Sequence, residues 1–491
     1  METTAVKTEA TGGSQSWVDR LWGSILERTG LGGGAGRGEA QSSGADGAAA
    51  AVAELPPLER AKRLAEALLS ERGEASGAAV ARELLVASRE LDASGRTALY
   101  RFLAENFGPE AEQLRPAAEA WLAEPTPDNA ARLAAVAEPP RQELLRRMNM
   151  TPGGTAALVA ARREVLGLVR EAPALKPLEA DLKHLLASWF NRGFLELRRI
   201  DWQTPAAVLE KLIEYEAVHE IQGWDDLRRR LAADRRCFGF FHPALPGEPL
   251  IFVEVALVEG LASAVQPLLA RDRACEDAAG RCAARADTAI FYSISNCQEG
   301  LRGVSFGNFL IKQVVEELKH ELPRLERFAT LSPVPGFRRW LDGRLASPDA
   351  AADLLRGEER AAVLAAGGNA GGDAAAALAA LLRGGDRWWE DPDRAEALRG
   401  PLVRLCAEYL ADANNGRGPR DPVARFHLGN GARLERINWL GNTAPRGMRE
   451  SFGLMVNYLY DLDSIEANHE AFVRNGTVAR SAQVEALLAP A

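Results

Sequence analysis

Cysteine is scarce in this 491-residue chain. There are five, at positions 237, 275, 282, 297 and 406, an odd number with no pair at Cys-x-x-Cys spacing. That excludes a disulfide framework, a zinc ribbon and a redox dithiol, and points to a reducing compartment. Long apolar runs are also missing: none reaches the ~18 residues that span a bilayer. A basic excess is absent too, with 59 Lys and Arg against 68 Asp and Glu and a net charge of −9. A nucleic-acid partner is therefore not expected, because phosphate neutralisation needs clustered cations. A small anionic ligand needs only a local patch. The chain has no His-Glu-x-x-His pair and no GxxxxGK[ST] phosphate loop. It also lacks the Met-Lys-Met of covalent biotin sites. No metal site is expected, and chemistry here runs without a prosthetic group. The N-terminus has no basic-then-apolar signal pattern, Glu2 and Glu9 fit a transit peptide poorly, and the last residues are not a peroxisomal address. The expected location is the cytoplasm.

What is present is ordinary for a globular protein, 47% apolar and 26% charged, and long enough for two to four domains. Residues 1–50 are largely small and polar. Within them Trp17, Val18, Leu21, Trp22, Ile25 and Leu26 fall on one helical face. Such a helix packs on its own protein, on a partner or on a membrane surface, and its polar face is not notably basic. From 51 to 190 apolar residues recur at helical spacing, as in 60–70, 77–90, 97–106, 110–123, 129–137 and 156–170. Pro125, Pro127, Pro139 and Pro140 punctuate them. This predicts an all-α domain.

The character changes near Trp189. Residues 237–241 and 250–257 read as two strands of a hairpin, 288–296 as a further strand and 454–460 as a late one. The succession from 191 to 491 predicts α+β architecture, a mainly antiparallel sheet flanked by helices. An Ala-rich helical stretch at about 343–425 reads as an insertion, since strand character returns after it.

One stretch concentrates the chemistry. After the 288–296 strand comes a turn with Gly300, Gly303 and Gly307. A helix follows with Leu310, Ile311, Val314, Val315 and Leu318 on its apolar side. A strand, a glycine turn and a helix N-terminus make an anion site or an ordinary βα connection. Ser332 follows, where a strand ends in Pro333-Val334-Pro335-Gly336. Rigid prolines there either aim its hydroxyl or leave it capping the turn. His427, before Leu428-Gly429-Asn430-Gly431, is a general acid or base, or a solvated loop histidine.

Several blocks together resemble the malonyl-CoA decarboxylases. They are 144–155 (LLRRMNMTPGGT), 215–219 (YEAVH), 298–312, 331–337 (LSPVPGF), 427–432 (HLGNGA), 436–439 (RINW) and 453–458 (GLMVNY). The resemblance implies an N-terminal helical domain followed by a mixed-sheet catalytic domain similar to GNAT-type N-acetyltransferases. It implies a homo-oligomer, a tetramer, with the helical domain as interface. That fold grips the CoA pyrophosphate with a (Gln/Arg)-x-x-Gly-x-(Gly/Ala) turn. Here Arg302, Gly303, Val304, Ser305, Phe306 and Gly307 align with it and lead into Asn308, with Ser305 where the first motif glycine stands. The family's catalytic serine and histidine carry over to Ser332 and His427. Asn457 and Tyr458 are weaker pocket candidates, Tyr458 with core packing as its main alternative.

The implied reaction converts malonyl-CoA to acetyl-CoA and CO2. The thioester itself delocalises the enolate charge, so no cofactor is chemically required. The protein has to bind CoA, orient the carboxylate, stabilise the enolate oxygen and deliver a proton. In this reading His427 protonates the carbanion carbon while Ser332 positions the malonyl group or relays a proton. Backbone N–H groups near the end of the 289–296 strand receive the thioester oxygen. Two alternatives remain at this level: a GNAT-type acyltransferase, and a non-catalytic acyl-CoA sensor.

Overall fold

The computed structural model describes residues 55–70, 74–270, 280, 283–304, 306, 310–347, 349, 351, 353–367, 372–383, 387–411 and 418–489. The 17–26 segment, Cys275, Cys282, Ser305, Gly307 and Asn308 lie outside them. The chain divides into two compact units. One comprises residues 1–191 and 298–305, the other 192–297 and 306–491.

The first unit is helical, as the sequence predicts. Its helices are α1 (Pro57–Ser70), α2 (Glu74–Glu90), α3 (Ala93–Asn106), α4 (Ala111–Ala123), α5 (Pro127–Ala137), α6 (Pro140–Asn149), α7 (Gly154–Leu168) and α8 (Lys176–Trp189). Pro57, Pro127 and Pro140 open helices rather than break them, since the first helical residue has no N–H to lose. For that reason α6, hidden behind the Pro139–Pro140 pair, is additional to the helices read from the sequence. Local capping fixes the starts: the Asp92 carboxylate accepts from Gly95 N at 2.7 Å, and the Thr126 hydroxyl from Asn129 N at 3.3 Å. Leu64, Leu84, Leu99, Leu144, Leu158 and Leu182 join the core between the helices.

The second unit is built on an eight-stranded mixed sheet in the order β1-β2-β3-β4-β5-β8-β6, with β7 also on β8. The strands are β1 (Glu196–Ile200), β2 (Arg235–Phe241), β3 (Pro249–Val258), β4 (Thr288–Asn296), β5 (Arg327–Thr330), β6 (Ser332–Pro333), β7 (Arg433–Asn438) and β8 (Met455–Leu459). Among the described strands, β4 and β5 pair in parallel, from Thr288–Arg327 to Phe291–Thr330, and the other strand pairs are antiparallel. The helix Leu310–Glu321 crosses between them, as parallel strands require. It buries Leu310, Ile311, Val314, Val315 and Leu318, the face predicted from the sequence. Beyond Phe291 and Thr330 the two strands part. β4 runs on to Asn296 paired, among the described strands, with β3 alone.

A buried ionic network crosses this sheet. Arg230, itself buried, donates from Nη1 to Glu254 at 2.7 Å, from Nη2 to His219 O at 2.9 Å and from Nε to Asp226 at 3.3 Å. Glu254 is fully buried on β3, and burial, partly offset by Arg230, pushes its carboxyl up to about 7. Beside it, Glu216 accepts the N–H groups of Val218 and His219 at 2.8 and 2.7 Å and the Ser293 hydroxyl at 2.7 Å. The Tyr215–His219 block is thereby tied to β4.

Candidate active site

Ser332 and His427 lie 95 residues apart in sequence, and the fold puts Ser332 Oγ 3.1 Å from His427 Nε2. The histidine is not on a loop. It sits in the last turn of the helix Pro422–Gly429, started by Asp421, whose carboxylate accepts from Val423 N and Ala424 N at 2.9 and 3.0 Å. An acid followed by proline is a helix-start signal, and it places His427 in the core, 3% exposed.

Ser332 is held from the other side. It forms the short strand β6 against Val456 of β8 and is itself buried. Its turn depends on Gly336, where a Cβ would stand 2.1 Å from the Tyr409 hydroxyl oxygen. Tyr409 belongs to the helix Pro392–Ala411, and its hydroxyl reaches Asp421 at 3.4 Å. The serine turn and the histidine helix therefore share a support.

Four side chains form a hydrogen-bonded line. Tyr460 lies 2.8 Å from His427 Nδ1, His427 Nε2 3.1 Å from Ser332, and the Ser332 hydroxyl donates to Thr330 Oγ1 at 2.8 Å. Burial pushes the Tyr460 phenol well above its ordinary range, so it keeps its proton. With no other described acceptor, that proton goes to Nδ1. The neutral imidazole then carries its own proton on Nε2 and donates to Ser332.

Burial lowers His427 to about 3. Between that value and the ordinary 6.5 the unfolded chain binds more protons than the folded one, so stability falls as pH drops through this window. Unfolding midpoints followed across it are expected to fall less steeply in His427→Asn than in wild type. The free enzyme should also show no acid limb near pH 6.5 in kcat/KM.

Tyr458 stacks on the imidazole, centroids 4.7 Å apart at 26°, and its buried hydroxyl has no partner among the described residues. Asn457 points to the opposite face of β8. It donates to Thr330 O at 2.7 Å and accepts from Asn438 Nδ2 at 2.9 Å and Arg436 Nε at 3.1 Å. It braces the end of β5 behind the serine. Tyr460 is absent from the sequence reading. The alternation Tyr458-Leu459-Tyr460, which puts both phenols on one strand face, was the available signal.

Of the proposed CoA turn, Arg302, Gly303, Val304 and Phe306 are described. The Arg302 side chain is largely exposed, Val304 and Phe306 are buried, and Gly303 is left-handed with φ 73°. Among the described residues no group of three or more His, Cys, Asp or Glu stands together as a metal site, and no helix is long and apolar enough to cross a membrane.

Comparison with known proteins decides the family. The Malonyl-CoA decarboxylase C-terminal domain family matches residues 193–491, and the N-terminal domain family matches 107–190. The chain belongs to the malonyl-CoA decarboxylase family. The mitochondrial malonyl-CoA decarboxylase of Anser anser anser is 39% identical over 353 residues, 70% of this chain and 69% of that one. The crystal structure of the decarboxylase from Rhodopseudomonas palustris is 50% identical with a TM-score of 0.76, covering 87% of this chain and 99% of its own. That from Agrobacterium vitis is 48% identical with the same TM-score, covering 88% and 100%.

Proposed function

We propose that Ser332 and His427 carry out the reaction for which the family is named, converting malonyl-CoA to acetyl-CoA and CO2. The observation that carries this reading is the 3.1 Å contact between two buried side chains from distant turns. The C–C bond to the carboxylate breaks, its electron pair moves onto the thioester oxygen, and CO2 leaves. Backbone N–H groups near the end of β4 receive that oxygen. The α-carbon then takes a proton from the Ser332 hydroxyl. His427 Nε2–H refills the serine, Tyr460 refills Nδ1, and solvent restores the phenol. The neutral state of His427 favours this route over direct protonation of carbon by an imidazolium. The turn 302–308 holds the CoA pyrophosphate. No prosthetic group takes part, because the thioester delocalises the enolate charge.

The test is CO2 release from malonyl-CoA, with no acceptor added, by wild type and Ser332→Ala. An acyltransferase or a sensor releases none, and full activity in the serine variant overturns the assignment. Tyr460→Phe keeps the ring and removes the donor to Nδ1. It should lower kcat about tenfold, a loss in the range of one positioned hydrogen bond. Unchanged turnover there removes Tyr460 from the relay.

The same reading has the chain acting in the cytoplasm as a homo-oligomer, a tetramer, joined through the helical unit. The three described cysteines, Cys237, Cys297 and Cys406, are buried free thiols, which suits a reducing compartment. The goose and mouse relatives are themselves named mitochondrial. Light scattering of the purified chain checks the assembly state.

A further inference from the structure

The turn that follows β4 packs, over residues 298–305, with the helical unit. Arg162 on α7 is 1% exposed, and its guanidinium is spent on that turn. Nη1 donates to Gly300 O at 2.6 Å, and Nη2 donates to Arg302 O at 2.8 Å and to Glu179 at 2.8 Å. Gly300 lies against the same helix: a Cβ there would stand 2.0 Å from Val159 O. Residues 301–304 form a type II turn, with Arg302 at φ −54°, ψ 126°, Gly303 at φ 73°, and Val304 N bonded to Leu301 O at 2.9 Å.

The peptide plane makes this arrangement directional. In a trans peptide the carbonyl and the N–H point opposite ways. Arg162 holds the carbonyl of the Arg302–Gly303 peptide, so the Gly303 N–H is turned away from it. Among the described residues no backbone acceptor takes that N–H. Next to it stands Lys183 of α8, whose Nζ and Cε are 3.8 Å from where a Gly303 Cβ would be. Lys183 is exposed and makes no hydrogen bond or ion pair among the described residues. A fixed, unspent N–H beside an unspent ammonium is the chemistry of a phosphate contact.

We infer that the helical unit supplies part of the CoA phosphate site. Lys183 is the cation that meets a phosphate, and Arg162 is the positioning residue that aims the Gly303 N–H at it. The inference rests on reading 302–308 as the pyrophosphate turn, and it adds two residues from outside that turn.

The test compares malonyl-CoA with malonyl-pantetheine, the same thioester without the nucleotide and its phosphates, in CO2-release kinetics. Lys183→Ala should lower kcat/KM for malonyl-CoA about tenfold or more, the scale of a charge-assisted hydrogen bond, through KM rather than kcat. On malonyl-pantetheine it should change kcat/KM less than about twofold. Lys183→Arg should keep most of the malonyl-CoA rate. Arg162→Met should show the same substrate-selective loss and Arg162→Lys a smaller one. Should the Arg162 variants fail to fold, the Lys183 pair decides. Equal losses on both substrates, or none on either, overturn the inference while leaving the turn's role standing. A wild type that does not discriminate between the substrates overturns the reading of the turn itself, and this inference with it.

Discussion

His427→Asn is expected to lower CO2 release at saturating malonyl-CoA by about 10²–10⁴-fold, the contribution of a positioned proton-transfer group. CoA affinity, measured by direct binding, should stay within about twofold. The two readouts separate because the imidazole spends both ring nitrogens inside the protein, on Ser332 and on Tyr460. The asparagine amide reaches only the Nδ1 position, so it no longer meets Ser332 and cannot pass a proton from one side of the ring to the other. Tyr458 loses its stacking partner, which is a packing cost, so the comparison uses folded protein of matched circular dichroism. Collapse of CoA affinity with turnover per bound substrate preserved would make His427 a binding residue and end the relay mechanism.

Arg230→Met should be the most destabilising of the substitutions considered, by about 3–5 kcal/mol, because it leaves Glu254 buried without its counter-charge. The loss has a pH signature. Glu254 is already raised to about 7 from its ordinary 4.5 with Arg230 in place. Without the guanidinium it rises further. A carboxyl with a raised folded pKa binds more protons folded than unfolded, so stability declines as pH climbs from 4.5 through the folded value. Denaturant titration of the variant should show a larger deficit at about pH 8 than at about pH 5. Adding Glu254→Gln removes the ionisable group and should recover much of the difference at the higher pH. A deficit independent of pH in the single variant would mean that the arginine matters only as volume and as a donor to His219 O.

The sequence made the two catalytic candidates legible through their blocks, and the helix after the glycine turn through its apolar spacing. The contact between the candidates was not legible, because no local rule links turns separated by the whole 343–425 stretch. The strands that escaped notice, β1 (ELRRI) and β7 (RLERIN), are edge strands. Edge strands carry charge to discourage pairing with other chains, and that charge hides them from a search for β-branched runs. For His427 the glycines that follow it suggest a residue at a flexible turn, a general acid or base or a solvated loop histidine. The Asp421–Pro422 start, six residues earlier, carried the better information. Proline at 140 misled for the same reason: its meaning depends on whether a helix ends before it or begins with it.

The Gly336 contact has a consequence for protein engineering. An Ala-rich stretch read as an insertion invites removal in search of a minimal catalyst. Here the excision would take Tyr409 with it. The hydroxyl that leaves no room for a side chain at position 336 would be gone, and so would Asp421, which starts the His427 helix, so the serine and histidine would lose their common backing together. A shortened enzyme therefore needs a replacement wall built first, for example a bulky aromatic donated from the trimmed loop. Otherwise it inherits both reactive groups without the distance between them.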